Sequence, residues 1–172
     1  MKKLTIKEIA IFGMLGGVMY VSKLLMEAIP NVHLLGAFIV SITLVYRAKA
    51  LYPIYIFVLL EGLFNGFTTW WIPYLYIWLP LWGATMLLPK KMPKAVAPIV
   101  YCAVSALHGL LYGTLYAPFQ ALAFGMNFEG MIAWIISGLP WDAIHALGNL
   151  AAGVLILPLA RLYRLCDKNS QA

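Results

Sequence analysis

The chain alternates between long apolar segments and short polar connections. A helix needs about 20 apolar residues to cross a bilayer, and about 17 at the short end. Six segments approach or reach this length. The second and third are short, so we expect them to tilt little or to pack inside the bundle. The six predicted helices are Ile6–Ile29, Val32–Tyr46, Leu51–Phe64, Ile72–Leu88, Val96–Tyr116 and Leu139–Tyr163.

The apolar pattern favours helices over strands, and the composition indicates that lipid rather than water surrounds them. Runs such as Gly36–Val45 and Ala151–Ala160 are apolar on all sides, whereas strands of a membrane barrel alternate about every second residue. Hydrophobic residues make up 63% of the chain and charged residues 10%, with a mean hydropathy of +0.88. Soluble proteins have about half apolar and about a quarter charged residues. We therefore predict one all-α domain over residues 1–172, a bundle of six transmembrane helices.

The basic residues predict how this bundle is oriented. Cytoplasmic loops retain Lys and Arg close to the membrane. The odd-numbered connections, Pro30-Asn31, Asn65–Trp71 and Ala117–Gly138, contain neither residue type. Both termini are therefore predicted to be cytoplasmic, and the net charge of +6 reflects orientation rather than nucleic-acid binding. The basic residues of the other connections and the termini are Lys2, Lys3, Lys7, Arg47, Lys49, Lys90, Lys91, Lys94, Arg161, Arg164 and Lys168.

No nucleotide-binding loop occurs in the sequence, so we predict no bound cofactor and no energy-converting module. Any uphill transport by this chain would need ATP hydrolysis in a partner. We accordingly predict that the chain is not itself an enzyme.

Polar side chains within the apolar segments are the main candidates for a functional site, because ionisable groups are costly inside a membrane. Lys23 and Glu27 lie one helical turn apart, and Glu61 and Asn65 repeat that spacing. With the predicted orientation, nearly all such residues map to the outer half of the membrane. They predict a one-sided polar cavity. Its predicted ligand-binding residues are Lys23, Glu61, Asn65, Trp70, Trp71, Tyr74, Trp78, His108, Tyr112, Asp142, His145 and Asn149.

Structural roles remain open for several of these residues. Lys23 with Glu27 can form an ion pair on the helix surface, or Lys23 can extend outward to water. Glu61 has no cation nearby in sequence and needs a partner across the bundle. Asp142 follows Pro140-Trp141 and can act as a helix N-cap, whereas Asp142, His145 and Asn149 together form one stripe.

Aromatic residues crowd the same predicted outer side, and Trp is absent from the inner interface. Trp and Tyr favour membrane interfaces whatever the function. The asymmetry nevertheless favours a pocket for a flat ring, held by aromatic faces. The outer connection Ala117–Gly138 is predicted to be a long loop that closes over this pocket.

The first predicted helix carries a small-residue stripe in its cytoplasmic half. Ala10, Gly13 and Gly17 are predicted to dock a partner helix, because small residues allow close approach. Internal packing is the alternative for this motif.

A membrane enzyme or a metal site is a rival interpretation. Ser105 and His108 share a helix face, and so do Asp142 and His145. A metal site would draw its ligands from His33, His108, Asp142 and His145, because zinc or nickel needs three or four converging ligands.

Three sequence features together span nearly the whole chain: the basic N-terminus with IAIFGMLGGVMY, the connection LPKKMPKA and the closing pattern GLPWDAIHALGNLAAGVLILPLARL. In these features the chain resembles the substrate-binding S components of energy-coupling factor (ECF) transporters. The resemblance implies an extracytoplasmic pocket for a vitamin or similar micronutrient, and a prokaryotic plasma-membrane location. It also implies that helix one docks on a transmembrane coupling subunit, that two cytoplasmic ATPases complete the importer, and that the S component topples in the membrane to deliver its ligand. The family's docking pair is often two alanines four residues apart, whereas Gly13 and Gly17 stand here.

The charge inventory favours one ligand class within that family. Three carboxylates, Glu27, Glu61 and Asp142, outnumber the cation Lys23. We therefore expect a neutral or cationic heteroaromatic ring. An anionic vitamin becomes equally favoured if Lys23 is unpaired and faces the pocket.

Overall fold

The computed structural model describes residues 3–168 and is helical, with no strand among those residues. This confirms the all-α class. Two 3₁₀ turns, Arg47–Ala50 and Gly153–Leu155, join consecutive helices, and a third, Thr69–Leu75, precedes α4. The α-helices are α1 Ile6–Leu25, α2 Leu35–Tyr46, α3 Leu51–Asn65, α4 Leu79–Leu87, α5 Ala97–Leu110, α6 Tyr112–Phe124, α7 Phe128–Ala152 and α8 Ile156–Lys168.

Four helical runs are long and apolar enough to cross a membrane: Ile6–Leu25, Leu35–Asn65, Ala97–Phe124 and Phe128–Asp167. The second run contains predicted helices two and three, which are separated at Arg47. There the backbone has a φ of 53°, in the left-handed region, so α2 ends and the chain changes direction. Helix α4 is too short to qualify as a fifth run.

The predicted outer loop Ala117–Gly138 is wrong. Helix α6 continues to Phe124, Gly125 turns the chain in the left-handed conformation, and α7 begins at once behind its N-cap Asn127. The Asn127 side chain accepts a hydrogen bond from the Gly130 amide at 2.8 Å. This segment contains Pro118 and three glycines, and such residues are tolerated inside membrane helices. The segment is a helical hairpin.

Three other predicted boundaries also need correction. Helix α1 ends at Leu25 rather than Ile29, because the chain turns before Pro30. The fourth predicted segment starts as the 3₁₀ turn Thr69–Leu75, which includes a proline. The fifth is interrupted at Leu111, where α5 ends and α6 begins.

Helix α2 forms the centre of the bundle, and every residue from Leu35 to Thr43 is buried. It packs against α4, α5 and α8, while α1 packs on α3 and α7 packs on α5 and α6. A helix enclosed in this way does not have to match the thickness of the hydrocarbon, because its neighbours face the lipid.

Basic residues from all four predicted inner segments meet at one end of the bundle. The Lys7 ammonium donates to the Asp167 carbonyl at 2.7 Å, Lys49 pairs with Glu8, and Arg47 donates to the Met86 carbonyl. A pocket at the same end is lined by Lys90, Lys91, Lys94, Arg161 and Arg164. We call this the basic end. The opposite end, where Lys23 meets Glu61, is called the cavity end.

Close contact between α5 and α7 depends on Gly109. A Cβ added there would lie 2.9 Å from the Ala146 backbone nitrogen and from the Asn149 amide nitrogen. We expect Gly109→Ala to lower the free energy of unfolding by about 1–3 kcal/mol, because overpacking forces the two backbones apart. Thermal unfolding in detergent measures this change. Gly13→Ala is the matched control, since no atom lies within 4 Å of its added Cβ; equal destabilisation by both variants would contradict the packing role.

Candidate functional site

A cavity of about 280 Å³ opens at the cavity end, between α1, α3 and the 3₁₀ turn Thr69–Leu75. Five of the six residues that line the cavity belong to the predicted ligand-binding set. Four of these carry a charged, amide or hydroxyl group, and the fifth is a tryptophan. Glu27 completes the lining, although it was not among the predicted binding residues. The lining residues are Lys23, Glu27, Glu61, Asn65, Trp70 and Tyr74.

Lys23 and Glu61 form an ion pair across the helix interface, with the ammonium nitrogen 3.1 Å from Oε2. The Glu61 side chain is 1% exposed and that of Lys23 is 20% exposed. Asn65 donates a second hydrogen bond to the same oxygen at 3.2 Å. The cation that Glu61 requires therefore comes from α1, and the pairing of Lys23 with Glu27 considered from the sequence is not the one formed.

Parallel packing of α1 and α3 brings this pair together. Glu8 and Lys49 meet at the basic end, and a Cβ added at Gly16 would collide with the Ile56 side chain midway along the helices. Each turn of α1 thus faces the corresponding turn of α3, which places Lys23 beside Glu61. Oε1 of Glu61 is buried and has no hydrogen-bond partner within residues 3–168.

The two neighbouring tryptophans of the 3₁₀ turn face different surroundings. Trp70 lines the cavity and packs edge-on against Tyr74, with ring centroids 5.4 Å apart. Trp71 donates its indole N–H to the Val58 carbonyl at 2.7 Å and fastens the turn to α3. Trp71 is therefore separate from the other predicted site residues and holds the turn in place.

Below the cavity lies a dense cluster of aromatic and histidine rings, which we call the ring cluster. Tyr74 connects the two regions, because its ring centroid lies 5.5 Å from that of Trp78. Tyr112 packs 4.7 Å from His145, which in turn lies 4.6 Å from His33. The members of the ring cluster are His33, Phe57, Tyr74, Trp78, His108, Tyr112 and His145.

Unpaired polar atoms concentrate in and beside the ring cluster. Buried polar atoms normally have hydrogen-bond partners, and each exception is costly. Among the residues that the structure describes, nine buried side-chain nitrogen or oxygen atoms have none, and all except two of these lie at the cavity end or in the layer beneath it. The seven are Glu61 Oε1, His33 Nδ1, Trp78 Nε1, Ser105 Oγ, His108 Nδ1, His145 Nε2 and Asn149 Oδ1.

Asp142 has a specific structural partner. Its two carboxylate oxygens accept hydrogen bonds from the Gly113 amide at 3.0 and 3.1 Å. Gly113 lies in the first turn of α6, a helix without a side-chain cap of its own. Asp142 sits in the middle of α7 and is therefore not the N-cap of its own helix. It caps a neighbouring helix instead.

Asn149 lies deeper, where α2, α5 and α7 converge. Its amide donates to the Ser105 carbonyl at 3.0 Å, and a Cβ at Gly36 would stand 2.8 Å from its Oδ1. The three residues of the predicted stripe thus have different roles. Asp142 caps α6, His145 belongs to the ring cluster, and Asn149 links α7 to α5.

This geometry gives limited support to the two rival interpretations, a metal site and a membrane enzyme. In the described part of the chain, no three His, Cys, Asp or Glu side chains are grouped to hold a metal ion. His108 Nε2 is bonded to the Ile77 carbonyl at 2.8 Å. Ser105 Oγ has no hydrogen-bond partner among residues 3–168, so it forms no nucleophile–base pair with His108.

The small residues of α1 fall on two faces. Gly16 is buried against α3, whereas Gly13 has nothing within 4 Å of an added Cβ, and neither has Gly17. Ala10 and Gly13 are exposed. The predicted docking stripe therefore faces away from the bundle, and Gly16 provides the internal packing.

His33 and Phe57 are the two ring-cluster residues that the predicted binding set omits. From the sequence, His33 is a candidate metal ligand but not a predicted binding residue, because it lies in the connection before α2, outside any helical stripe. Its position between Pro30 and the buried start of α2 was the available signal.

The chain matches no protein-family model, no curated protein and no solved structure in the comparisons made.

Proposed function

We propose that this chain is the substrate-binding membrane subunit of an ECF-type importer, which captures a vitamin-like micronutrient at the cavity end. The observation that carries this proposal is the set of seven unpaired buried polar atoms at and beneath a one-sided cavity. Such atoms become favourable contacts when a ligand supplies their partners. The sequence resemblance to S components supplies the class of importer.

The lining favours a neutral or cationic heteroaromatic ligand. Glu61 neutralises Lys23, and Glu27 also lines the cavity, so the lining has no excess of positive charge. Trp70, Tyr74 and the ring cluster offer faces and edges for a flat ring. The indole N–H of Trp78, the ring nitrogens of His33 and His145, and Asn149 Oδ1 offer donors and acceptors for ring heteroatoms.

The proposed topology has six crossings, with both termini in the cytoplasm of a prokaryotic cell. The four long helical runs account for part of this count, and the break at Arg47 divides the second run into two crossings. The 3₁₀ turn Thr69–Leu75 and α4 together supply a further one. The basic end would face the cytoplasm, because Lys and Arg are retained on that side.

The exposed face of α1 is the proposed contact for the coupling subunit. Ala10, Gly13 and Gly17 present no bulky side chain there, which permits close helix approach. Two cytoplasmic ATPases would complete the importer and reset it after the S component topples. The absence of a nucleotide-binding motif from this sequence agrees with that division of labour.

Intrinsic tryptophan fluorescence tests the proposal. The purified full chain in detergent is titrated with B vitamins and their precursors, and with Zn²⁺ and Ni²⁺ as separate additions. We expect one organic compound to quench with nanomolar affinity, and Trp78→Phe to remove most of the quench. Trp82→Phe is the control, because the Trp82 indole donates to the Arg47 carbonyl at the basic end. The prediction that this end lacks tryptophan is therefore wrong. No response to the organic panel, with no coupling subunit or ATPase co-purifying, would overturn the proposal.

A metal response would favour the rival interpretation. The rings of His33 and His145 are 4.6 Å apart and each has an unpaired nitrogen, so two potential ligands are already adjacent. Quenching by Zn²⁺ or Ni²⁺ but by no organic compound would identify a metal-binding membrane protein.

A further inference from the structure

A second polar site lies at the basic end, far from the cavity. A pocket of about 360 Å³ is bounded by the connection between α4 and α5 and by α8. Five cationic side chains line it: Lys90, Lys91, Lys94, Arg161 and Arg164. The floor is different, because it contains Leu157 and the buried ring of Tyr101. The pocket therefore combines a cationic rim with an apolar base.

These five cations differ from Lys7, Lys23 and Lys49 in having no ion-pair partner within residues 3–168. Lys7, Lys23 and Lys49 each pair with a carboxylate. Within residues 3–168, no ion pair or hydrogen bond involves the side chain of any of the five pocket cations. Orientation by the positive-inside rule requires positive charge in a connection, but it does not require five cations from two separate segments to surround one pocket.

The surroundings of the pocket are those of a membrane interface. Two apolar side chains on the elements that border the pocket are mostly exposed. Ile99 on α5 is 69% exposed, and Val154, on the 3₁₀ turn before α8, is 70% exposed. An amphiphile bound here would place its anionic group among the cations and its chains along these apolar surfaces. The positive end of the α5 dipole also points toward the pocket, since α5 begins at Ala97.

We propose that this pocket binds the headgroup of an anionic phospholipid from the inner leaflet. Basic pockets between membrane helices on the cytoplasmic side have the charge and depth for such headgroups. Bound lipid would neutralise the crowded cations and fix the connection LPKKMPKA against α8. The proposal requires membrane insertion but does not depend on which ligand the cavity captures.

Native mass spectrometry of the full chain, released from detergent micelles, tests the site. Phosphatidylglycerol and phosphatidylcholine are added at equal concentrations, and inorganic phosphate is added in a third series. We expect retained phosphatidylglycerol, little phosphatidylcholine and no retained phosphate. Each cation near an anionic surface strengthens binding roughly fivefold. The double variant R161Q/R164Q should therefore bind phosphatidylglycerol about 25-fold more weakly.

The variant K3Q/K7Q removes the same charge from described residues outside the pocket lining and should bind phosphatidylglycerol as the unchanged protein does. The triple variant K90Q/K91Q/K94Q provides an independent test on exposed residues should R161Q/R164Q fail to fold. Equal retention of the two lipids, equal weakening by K3Q/K7Q, or phosphate binding without lipid preference would each overturn the proposal. Failure of vitamin binding, with the preference for phosphatidylglycerol retained, would count against the proposed function and not against the lipid site.

Discussion

Lys23→Met is expected to destabilise the protein by about 3 kcal/mol, the low end for removing one partner of a buried ion pair. The substitution leaves Glu61, at 1% exposure, with only the Asn65 amide on its Oε2. Methionine retains most of the apolar length of lysine, so packing changes little. Thermal unfolding in detergent should show a fall in melting temperature of roughly 6–12 °C for a chain of this size.

Two further variants separate charge from packing. Glu61→Gln in the Lys23→Met background removes the unpaired charge and should restore most of the lost stability. Glu27→Gln is the matched control, because Glu27 lines the same cavity but is exposed and has no ion-pair partner in the described residues. It should change the melting temperature little. No recovery in the double variant would show that the Lys23–Glu61 pair is not the source of the effect.

The same variants report on ligand charge. Glu61→Gln is expected to abolish ligand quenching, because its carboxylate provides the charged acceptor at the cavity. If the ligand is cationic, Lys23→Met should tighten binding, since the freed Glu61 can pair with the ligand instead of Lys23. Unchanged affinity in Glu61→Gln would remove this carboxylate from the binding site.

The sequence predicts the helical class because runs such as Ala151–Ala160 leave no polar face. It also predicts that Glu61 requires a cation from another helix, since no neighbour in sequence can neutralise it. The identity of that cation depends on the parallel packing of α1 and α3. No local pattern encodes this packing, and the sequence suggests the nearer Glu27 as the partner of Lys23.

The hairpin of α6 and α7 was not predicted for a different reason. Pro118, Gly130 and Gly138 lower helix propensity in water, but such residues are tolerated inside membrane helices. The small residues of α1 illustrate the same limit. Gly13 and Gly16 are equivalent by composition, yet only Gly16 meets α3, because its angular position on the helix faces the bundle.

Asp142→Leu is expected to destabilise the protein by about 2 kcal/mol and to weaken ligand binding. Both oxygens of the carboxylate accept hydrogen bonds from the Gly113 amide, and Asp142 is only 5% exposed. Loss of a buried hydrogen bond to a charged group costs about 1.5–3 kcal/mol. Tyr112 precedes Gly113 and packs against Trp78 and His145, so a loosened start of α6 disturbs the ring cluster. Thermal unfolding and fluorescence titration measure the two effects.

Asp142→Asn distinguishes helix capping from direct ligand contact. Asparagine keeps one oxygen for the Gly113 amide, so capping predicts a smaller loss of stability than with leucine and a correspondingly smaller loss of affinity. Direct contact with the ligand predicts the reverse order: Asp142→Asn would lose affinity while its melting temperature stayed near that of the unchanged protein. Stability and affinity that fall together, with leucine worse than asparagine, would assign Asp142 to positioning Tyr112. Two variants as stable as the unchanged protein would exclude capping.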